Sequence, residues 1–276
     1  MLDFSNSKIL IVGDVMLDKY YFGKVDRISP EAPVPIVNIQ KEESRLGGAS
    51  NVANNIVSLG GHSLLCGVIG HDLFGKEIER ISRHKNIDTF LLKTSSPTIT
   101  KARIIGGKQQ IVRVDYEDKS ELNADNKKLF RDTISRILPE YDILVISDYG
   151  KGLISEDLCR YLIKLAHKYD KKVIIDPKGK NWEKYSGADI VTPNVKELSD
   201  IVGYTVPNTD RAIEKAAREA ITNNHLTALL VTRSDKGMSL IGPIPPIHIP
   251  THSEEVFDVS GAGDTVVATL GLCLAA

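Results

Sequence analysis

The segment Asp258-Val259-Ser260-Gly261-Ala262-Gly263-Asp264-Thr265 places a carboxylate directly behind three small residues. Small residues let a backbone turn tightly and approach another molecule closely. The apolar stretch Val266–Ala276 follows at once and reads as a helix. Free N–H groups at a helix start, helped by the helix dipole, favour an anion. The chemistry this suits is phosphoryl transfer. Gly261, Ala262 and Gly263 would face the charge of the moving group, and Asp264 would accept the proton of an attacking hydroxyl. The same residues also fit a plain glycine-rich turn with aspartate as its cap.

Three further segments carry polar groups of useful type. Gly47-Gly48-Ala49-Ser50-Asn51-Val52-Ala53 precedes a helical stretch, and Gly60 and Gly70 follow it. Paired glycines permit close contact with a small ligand, and Asn51 offers both donor and acceptor to a hydroxylated one. A plain loop-to-helix turn fits equally. Asn194-Val195-Lys196-Glu197 follows Pro193. Its amide and carboxylate, three apart, suit Mg²⁺ held through water at Glu197. They also suit a capping box, with Asn as cap and Glu at the third helical position. Thr232-Arg233-Ser234-Asp235-Lys236-Gly237 could present a hydroxyl and N–H groups to nucleotide phosphates, or form a surface turn.

These segments need a frame. Short β-branched runs at Lys8–Val12, His62–Ile69, Ile143–Ser147, Lys172–Ile175, Asp189–Thr192 and Ala228–Thr232 read as buried strands. Amphipathic stretches alternate with them: Ala49–Leu59, Lys76–Arg83, Asp125–Leu138, Glu156–Tyr169, Lys196–Val202 and Thr209–Asn223. Apolar strands separated by helices predict a parallel sheet covered on both faces. Ligands then bind at the carboxyl ends of the strands, where Asp14, Asp148, Asp176 and Asn194 fall. Residues 15–46 and 88–118 break this rhythm. They alternate over short segments with many turn residues, which predicts a small antiparallel flap over the ligand edge.

Composition narrows the class. A chain of 276 residues, 42% hydrophobic and 26% charged, supports a large α/β core. With 35 basic and 36 acidic residues and no long basic run, nothing favours nucleic acid. Cys66, Cys159 and Cys273 form no C-x-x-C pair and sit among apolar neighbours, as buried thiols of a reducing compartment do. The seven histidines lack metal-ligand spacing. The first apolar run, Ile9–Val12, is too short for a signal peptide or a membrane span, so the expected compartment is the cytoplasm. A Rossmann dehydrogenase is set aside, because Gly13-Asp14-Val15 is not followed by G-x-G-x-x-G spacing.

Together the segments resemble the ribokinase-like (PfkB) family of carbohydrate kinases. Gly47 through Gly70 is similar to the first signature of that family, and Asp258 through Gly271 to the second. A narrower resemblance, to the heptose phosphate kinases within the family, covers nearly the whole chain. It rests on Gly13–Asp18, Arg27–Pro35, Gln109–Asp115, Ser147–Gly152 and Asp176–Gly179. The resemblance implies a ribokinase-like three-layer sandwich with a mostly parallel sheet and a β flap. It implies transfer of the ATP γ-phosphate to the anomeric oxygen of D-glycero-β-D-manno-heptose 7-phosphate, giving the 1,7-bisphosphate used for ADP-heptose and lipopolysaccharide.

By the same resemblance Asp264 is the base, and Gly261, Ala262 and Gly263 form the anion hole. Asn194, Val195, Lys196 and Glu197, with Thr232, Ser234 and Gly237, serve ATP and Mg²⁺. Asp14, Asp18, Gly48 and Asn51 grip sugar hydroxyls, and Arg103, Gln110, Arg113 and Asp115 on the flap approach the sugar phosphate. A half-exposed strand pair with Arg113 and Asp115 turned to water fits the last group too. Family members are often dimers through the flap, which makes a homodimer the expected state. Residues 1–276 read as one kinase domain that is short at its C-terminus, because the family continues beyond the helix starting near Asp264. An adenylyltransferase half, which accompanies such kinases in many bifunctional proteins, has no counterpart in these 276 residues. The rivals are a kinase of another phosphosugar and a non-catalytic sugar- or nucleotide-binding module.

Overall fold

The computed structural model describes residues 2–118, 122–251 and 261–276. In chain order the elements are β1 (Lys8–Gly13), β2 (Val15–Ile28), β3 (Pro35–Gly48), α1 (Ala49–Ser58), β4 (His62–Gly70), α2 (Leu73–His84), β5 (Asp88–Thr94), β6 (Thr100–Gly106), β7 (Gln109–Tyr116) and α3 (Ala124–Ile137). They continue with β8 (Ile143–Ser147), α4 (Glu156–Lys168), β9 (Lys172–Asp176), β10 (Ile190–Val191), α5 (Val195–Val202), α6 (Asp210–Asn224), β11 (Ala228–Thr232), β12 (Met238–Ile241), β13 (Ile247–Ile249) and α7 (Ala262–Ala275).

Nine strands form the large sheet in the order β13-β12-β11-β10-β9-β8-β1-β4-β5. All neighbours from β11 to β5 run parallel, and β12 and β13 add an antiparallel edge. The central strands are apolar at every inner position because both faces are covered. Along β1, Leu10 and Val12 enter the core shared with α3, α4, α5 and α6, while Ile9 and Ile11 enter the core shared with α1, α2 and α7. Each such side chain, fully withdrawn from water, contributes roughly 1.5–3 kcal/mol. The three layers are those expected.

The smaller sheet, ordered β3-β2-β6-β7, is the flap. Its outer pairings are antiparallel, and β2 runs parallel to β6 from Leu17↔Thr100 to Gly23↔Gly106. The flap boundary differs from expectation on one side. Residues 88–94 are β5, which pairs parallel with β4 from Leu64↔Asp88 to Gly70↔Thr94 and closes the large sheet. Phe90 and Leu92 pack on one core and Leu91 on the other, but the triplet is short and flanked by polar residues, so sequence pattern alone does not separate this edge strand from a flap strand. The second flap segment therefore begins at Thr100.

Helix starts are fixed locally. Asp72, Asn123, Ser155 and Asn194 each accept a backbone N–H at the start of α2, α3, α4 and α5. By contrast, α1 and α7 begin at Gly48 and Gly261 with no capping side chain. Both starts lie where flap and sheet meet. No helix among the described residues is long and apolar enough to cross a membrane.

Candidate active site

The final helix begins earlier than its apolar run suggests. Its first turn is Ala262-Gly263-Asp264, with Gly261 in the left-handed region at φ 80°. Asp264 therefore sits inside the first turn, not ahead of it. Its side chain is buried, and each oxygen has a donor: Asn51 Nδ2 lies 2.7 Å from Oδ2, and the Tyr149 hydroxyl lies 2.8 Å from Oδ1. Burial raises the Asp264 carboxyl above the usual carboxylate range, the Asn51 and Tyr149 hydrogen bonds oppose this, and the Asp18 charge adds to it. Asp258, Val259 and Ser260, the front of the motif, lie outside the described residues.

The cavity beside Asp264 has a volume of about 460 Å³ and is bounded by the flap, α1 and the start of α7. Asp18, Tyr20, Arg45, Gly47, Asn51 and Asp264 line it. Gly47 must be small, since a Cβ there would stand 2.5 Å from Asp18 Oδ2. Gly48 takes φ 56° and has the Asp14 carbonyl against it, so the turn from β3 into α1 closes tightly. Asp18 pairs with the Arg103 guanidinium, which lies over the Tyr20 ring at 5.2 Å. Thus Asp18, Asn51 and Asp264, expected together, do come together. Arg103 reaches this cluster through Asp18.

Asp14 is placed differently. It lines a second cavity of about 470 Å³, between the ends of β1, β4 and β5 and the start of α3. Its Oδ2 accepts the amides of Tyr149 at 2.8 Å and Lys151 at 3.0 Å, and its buried Oδ1 has no hydrogen-bond partner among the described residues. Burial pushes its carboxyl up to about 6 against the pull of those amides. Gln110, Arg113 and Asp115 lie on β7, where every residue is exposed. Arg113 and Asp115 bond each other at 2.8 and 2.9 Å, the outward arrangement that the sequence also allowed.

Across the sheet, the Asn194 segment forms the capping box. Asn194 Oδ1 accepts the Glu197 amide at 2.9 Å, and Glu197 Oε2 accepts the Asn194 amide at 3.1 Å. Glu197 Oε1 also accepts Lys178 Nζ at 3.0 Å. Each carboxylate oxygen thus carries one donor and keeps a lone pair that a water or a cation can use. Asn194 also bridges to Thr232, so this segment and the Thr232–Gly237 turn are neighbours. Ser234 at φ 56° and Gly237 at φ 80° shape that turn. Val195 and Lys196 form the first turn of α5. Asp176 ends β9 nearby, and burial and the Asp264 charge raise its carboxyl well above its usual range.

Four residues escaped the sequence reading. Tyr149 reaches Asp264, Lys101 stands 5.6 Å from the Tyr149 ring centre, Lys178 pairs with Glu197, and Arg233 holds the Thr232–Gly237 turn. Tyr149 and Lys178 fall in segments the sequence singled out, Ser147–Gly152 and Asp176–Gly179. Nothing in spacing tells which atom of such a segment meets its partner, 115 residues away for Tyr149 and 19 for Lys178.

A profile of the pfkB family of carbohydrate kinases matches residues 6–276. The chain belongs to that family. Among curated relatives, the bifunctional protein HldE of Haemophilus influenzae strain PittEE is 46% identical over 275 residues, covering 99% of this chain and 56% of the relative. HldE of Vibrio vulnificus strain YJ016 is 45% identical over 276 residues, covering 99% of this chain and 57% of the relative. The chain thus spans little more than half the length of these relatives. Among solved structures, the tetrameric inhibited form of phosphofructokinase-2 from Escherichia coli superposes with a TM-score of 0.79 at 21% identity, over 98% of this chain and 88% of that one. Arabidopsis thaliana ribokinase complexed with ribose and ATP superposes with a TM-score of 0.74 at 20% identity, over 98% and 86%. These likenesses establish the ribokinase-like fold, with a large mostly parallel sheet and a smaller one. As a pfkB-family member, the chain is a sugar kinase domain.

Proposed function

We propose that this chain phosphorylates the anomeric O1 of D-glycero-β-D-manno-heptose 7-phosphate with ATP, giving the 1,7-bisphosphate on the route to ADP-heptose. The observation that carries the kinase chemistry is the position of Asp264. It stands in the first turn of an uncapped helix, beside a cavity of about 460 Å³ that polar groups line. The narrower substrate is supported by the heptose-kinase-like segments, from Gly13–Asp18 to Asp176–Gly179, and by 45–46% identity to HldE proteins.

The residues fit ATP and Mg²⁺. Among the described residues, no side chain caps the amides at the start of α7, and a Cβ on Gly263 would meet nothing within 4 Å. Such a start leaves room and donors for phosphate. Thr232, Ser234 and Gly237 would hold the nucleotide's phosphates from the opposite side, with Lys178 and the Asn194–Glu197 turn, and Glu197 would hold Mg²⁺ through water. When bound, ATP supplies the transferable phosphoryl group and Mg²⁺ neutralises part of its charge. In the reaction, Asp18 and Asn51 orient the sugar, and Asp264 accepts the proton of the attacking hydroxyl. The amides of Gly261, Ala262 and Gly263 face the negative charge that develops. The flap excludes water. Asp14 serves the sugar from the second cavity or through the loop it pins.

The flap also suggests a partner. The edge strand β7 exposes Ile111, Val112, Val114 and Tyr116. An exposed apolar edge invites pairing, and a second copy of this chain is the partner we propose. Sedimentation of Val112→Glu/Val114→Glu against wild type tests it, and an unchanged mass would reject it. The reaction is tested by coupled ADP release with Mg-ATP and a panel of phosphosugars. Turnover confined to the heptose 7-phosphate supports the reading. Turnover with another phosphosugar replaces the substrate. Ligand-induced thermal shifts without ADP point to a binding module. Fractionation of cells would show whether the protein resides in the cytoplasm, as proposed.

A further inference from the structure

Tyr149 follows β8 by two residues and is fixed at both ends. Its amide donates to Asp14 Oδ2 at 2.8 Å, and its phenol donates to Asp264 Oδ1 at 2.8 Å. Asp14 also accepts the Lys151 amide at 3.0 Å, so one buried carboxylate pins the loop on both sides of Gly150. Gly150 takes φ 66°, which allows the turn. The phenol is therefore aimed by the backbone and not by a flexible stem.

We propose that Tyr149 is the positioning residue of the general base: its hydroxyl fixes the rotation of the Asp264 carboxylate and donates to its ionised form. The inference rests on the assignment of Asp264 as base. Asn51 and Tyr149 hold different oxygens, so the carboxylate plane is set by two donors on two elements. Each oxygen keeps a lone pair for a substrate hydroxyl. Burial, followed by the negative charge of Asp264, pushes the Tyr149 phenol far above its ordinary range, so it remains a donor. Among the described residues, the charged groups that face Asp264 are Asp18 on β2, Asp176 at the end of β9 and Lys101 on β6. The two carboxylates favour the protonated base. Lys101 opposes them, and burial pulls its own ammonium below the usual range. Tyr149 and Asn51 are the neutral donors on the carboxylate itself.

The test reads the Asp264 titration directly, by the carboxyl ¹³C shift of aspartate-labelled full chain, with Asp264→Asn identifying the signal. Tyr149→Phe removes one donor to the ionised form, so the midpoint should rise by about one pH unit. Replacing Tyr149 by 3,5-difluorotyrosine keeps the ring and strengthens the donor, so the midpoint should fall. The acid limb of kcat/KM should move in the same two directions, and adding Tyr149→Phe to Asp264→Asn should change kcat by less than about twofold. A midpoint unmoved by both replacements overturns the proposal, even if Tyr149→Phe lowers the melting temperature. Loss of the base assignment is a separate result, read as near-normal turnover in Asp264→Asn.

Discussion

Asn51 Nδ2 donates to Asp264 Oδ2 at 2.7 Å across 213 positions of chain. This one bond ties the start of α1 to the start of α7, the two helices that begin at uncapped glycines beside the cavity. Flap residue Asp18 lines the same cavity, so β2, α1 and α7 all bring polar groups to it.

If Asp264 is the base, Asp264→Asn should keep the fold and lose turnover by roughly 10²–10⁴-fold. The amide preserves the shape and can still accept from Tyr149, so the melting temperature should hold. ADP release and thermal denaturation check the two halves, and turnover close to wild type would refute the assignment.

Gly261 and Gly263 separate strain from function. Alanine at 261 would enter the left-handed region, costing about 1–2 kcal/mol, and its Cβ would stand 2.8 Å from Asn51 Nδ2. Gly261→Ala should therefore lose both stability and turnover. Gly263 has no positive φ and no atom within 4 Å of an added Cβ. Gly263→Ala should melt as wild type yet raise the KM for ATP, because the methyl fills space proposed for phosphate. Melting curves and ATP titrations of the two variants check the contrast.

Much of this frame was legible in the sequence. Lys8–Val12 and Ile143–Ser147 read as buried strands because they are short, β-branched and continuously apolar, and they are strands β1 and β8. The edge strand β5 could not be read, because its apolar triplet Phe90–Leu92 is short and lies between polar residues, as in a flap strand. Asp264 and Asn51 were legible as polar groups beside small residues. Their bond to each other was not, because it depends on how α1 and α7 pack across the sheet. The Asn194 segment stayed ambiguous between Mg²⁺ and a capping box for a physical reason: the cap uses Glu197 Oε2 and leaves Oε1 to reach Lys178, so forming the cap does not decide the question.

Asp14 gives a pH-dependent prediction. Its carboxyl lies at about 6 in the fold against an ordinary value of 3.8, because it is buried. The unfolded chain therefore releases this proton first, and folded stability falls as pH rises from about 4 to 6. The rise from 3.8 to about 6 sets a ceiling of about 3 kcal/mol at neutral pH. Relative to wild type, Asp14→Asn should gain stability across that window and stay level above it. Urea denaturation of both proteins at pH 4 and pH 7 measures the gain, and a difference independent of pH would show that Asp14 titrates alike in the folded and unfolded chain.

Arg233 tests the nucleotide side. Its buried guanidinium donates to Asn208 Oδ1 at 2.9 Å, Asp210 Oδ1 at 2.6 Å and Ser239 Oγ at 2.9 Å. Its amide donates to the Gly237 carbonyl at 2.8 Å, and its own carbonyl accepts Asn208 Nδ2 at 3.0 Å. The residue thus anchors both ends of the turn proposed to hold phosphate. A lysine carries the charge but not the planar fork. Arg233→Lys should cost about 2–4 kcal/mol of stability, because Asn208 and Ser239 lose their shared donor in a buried site. It should also raise the KM for ATP more than it lowers kcat, since the turn holds the nucleotide and Asp264 is untouched. Equal loss in kcat with an unchanged KM would place the effect at the base and reject the Thr232–Gly237 turn as a nucleotide site.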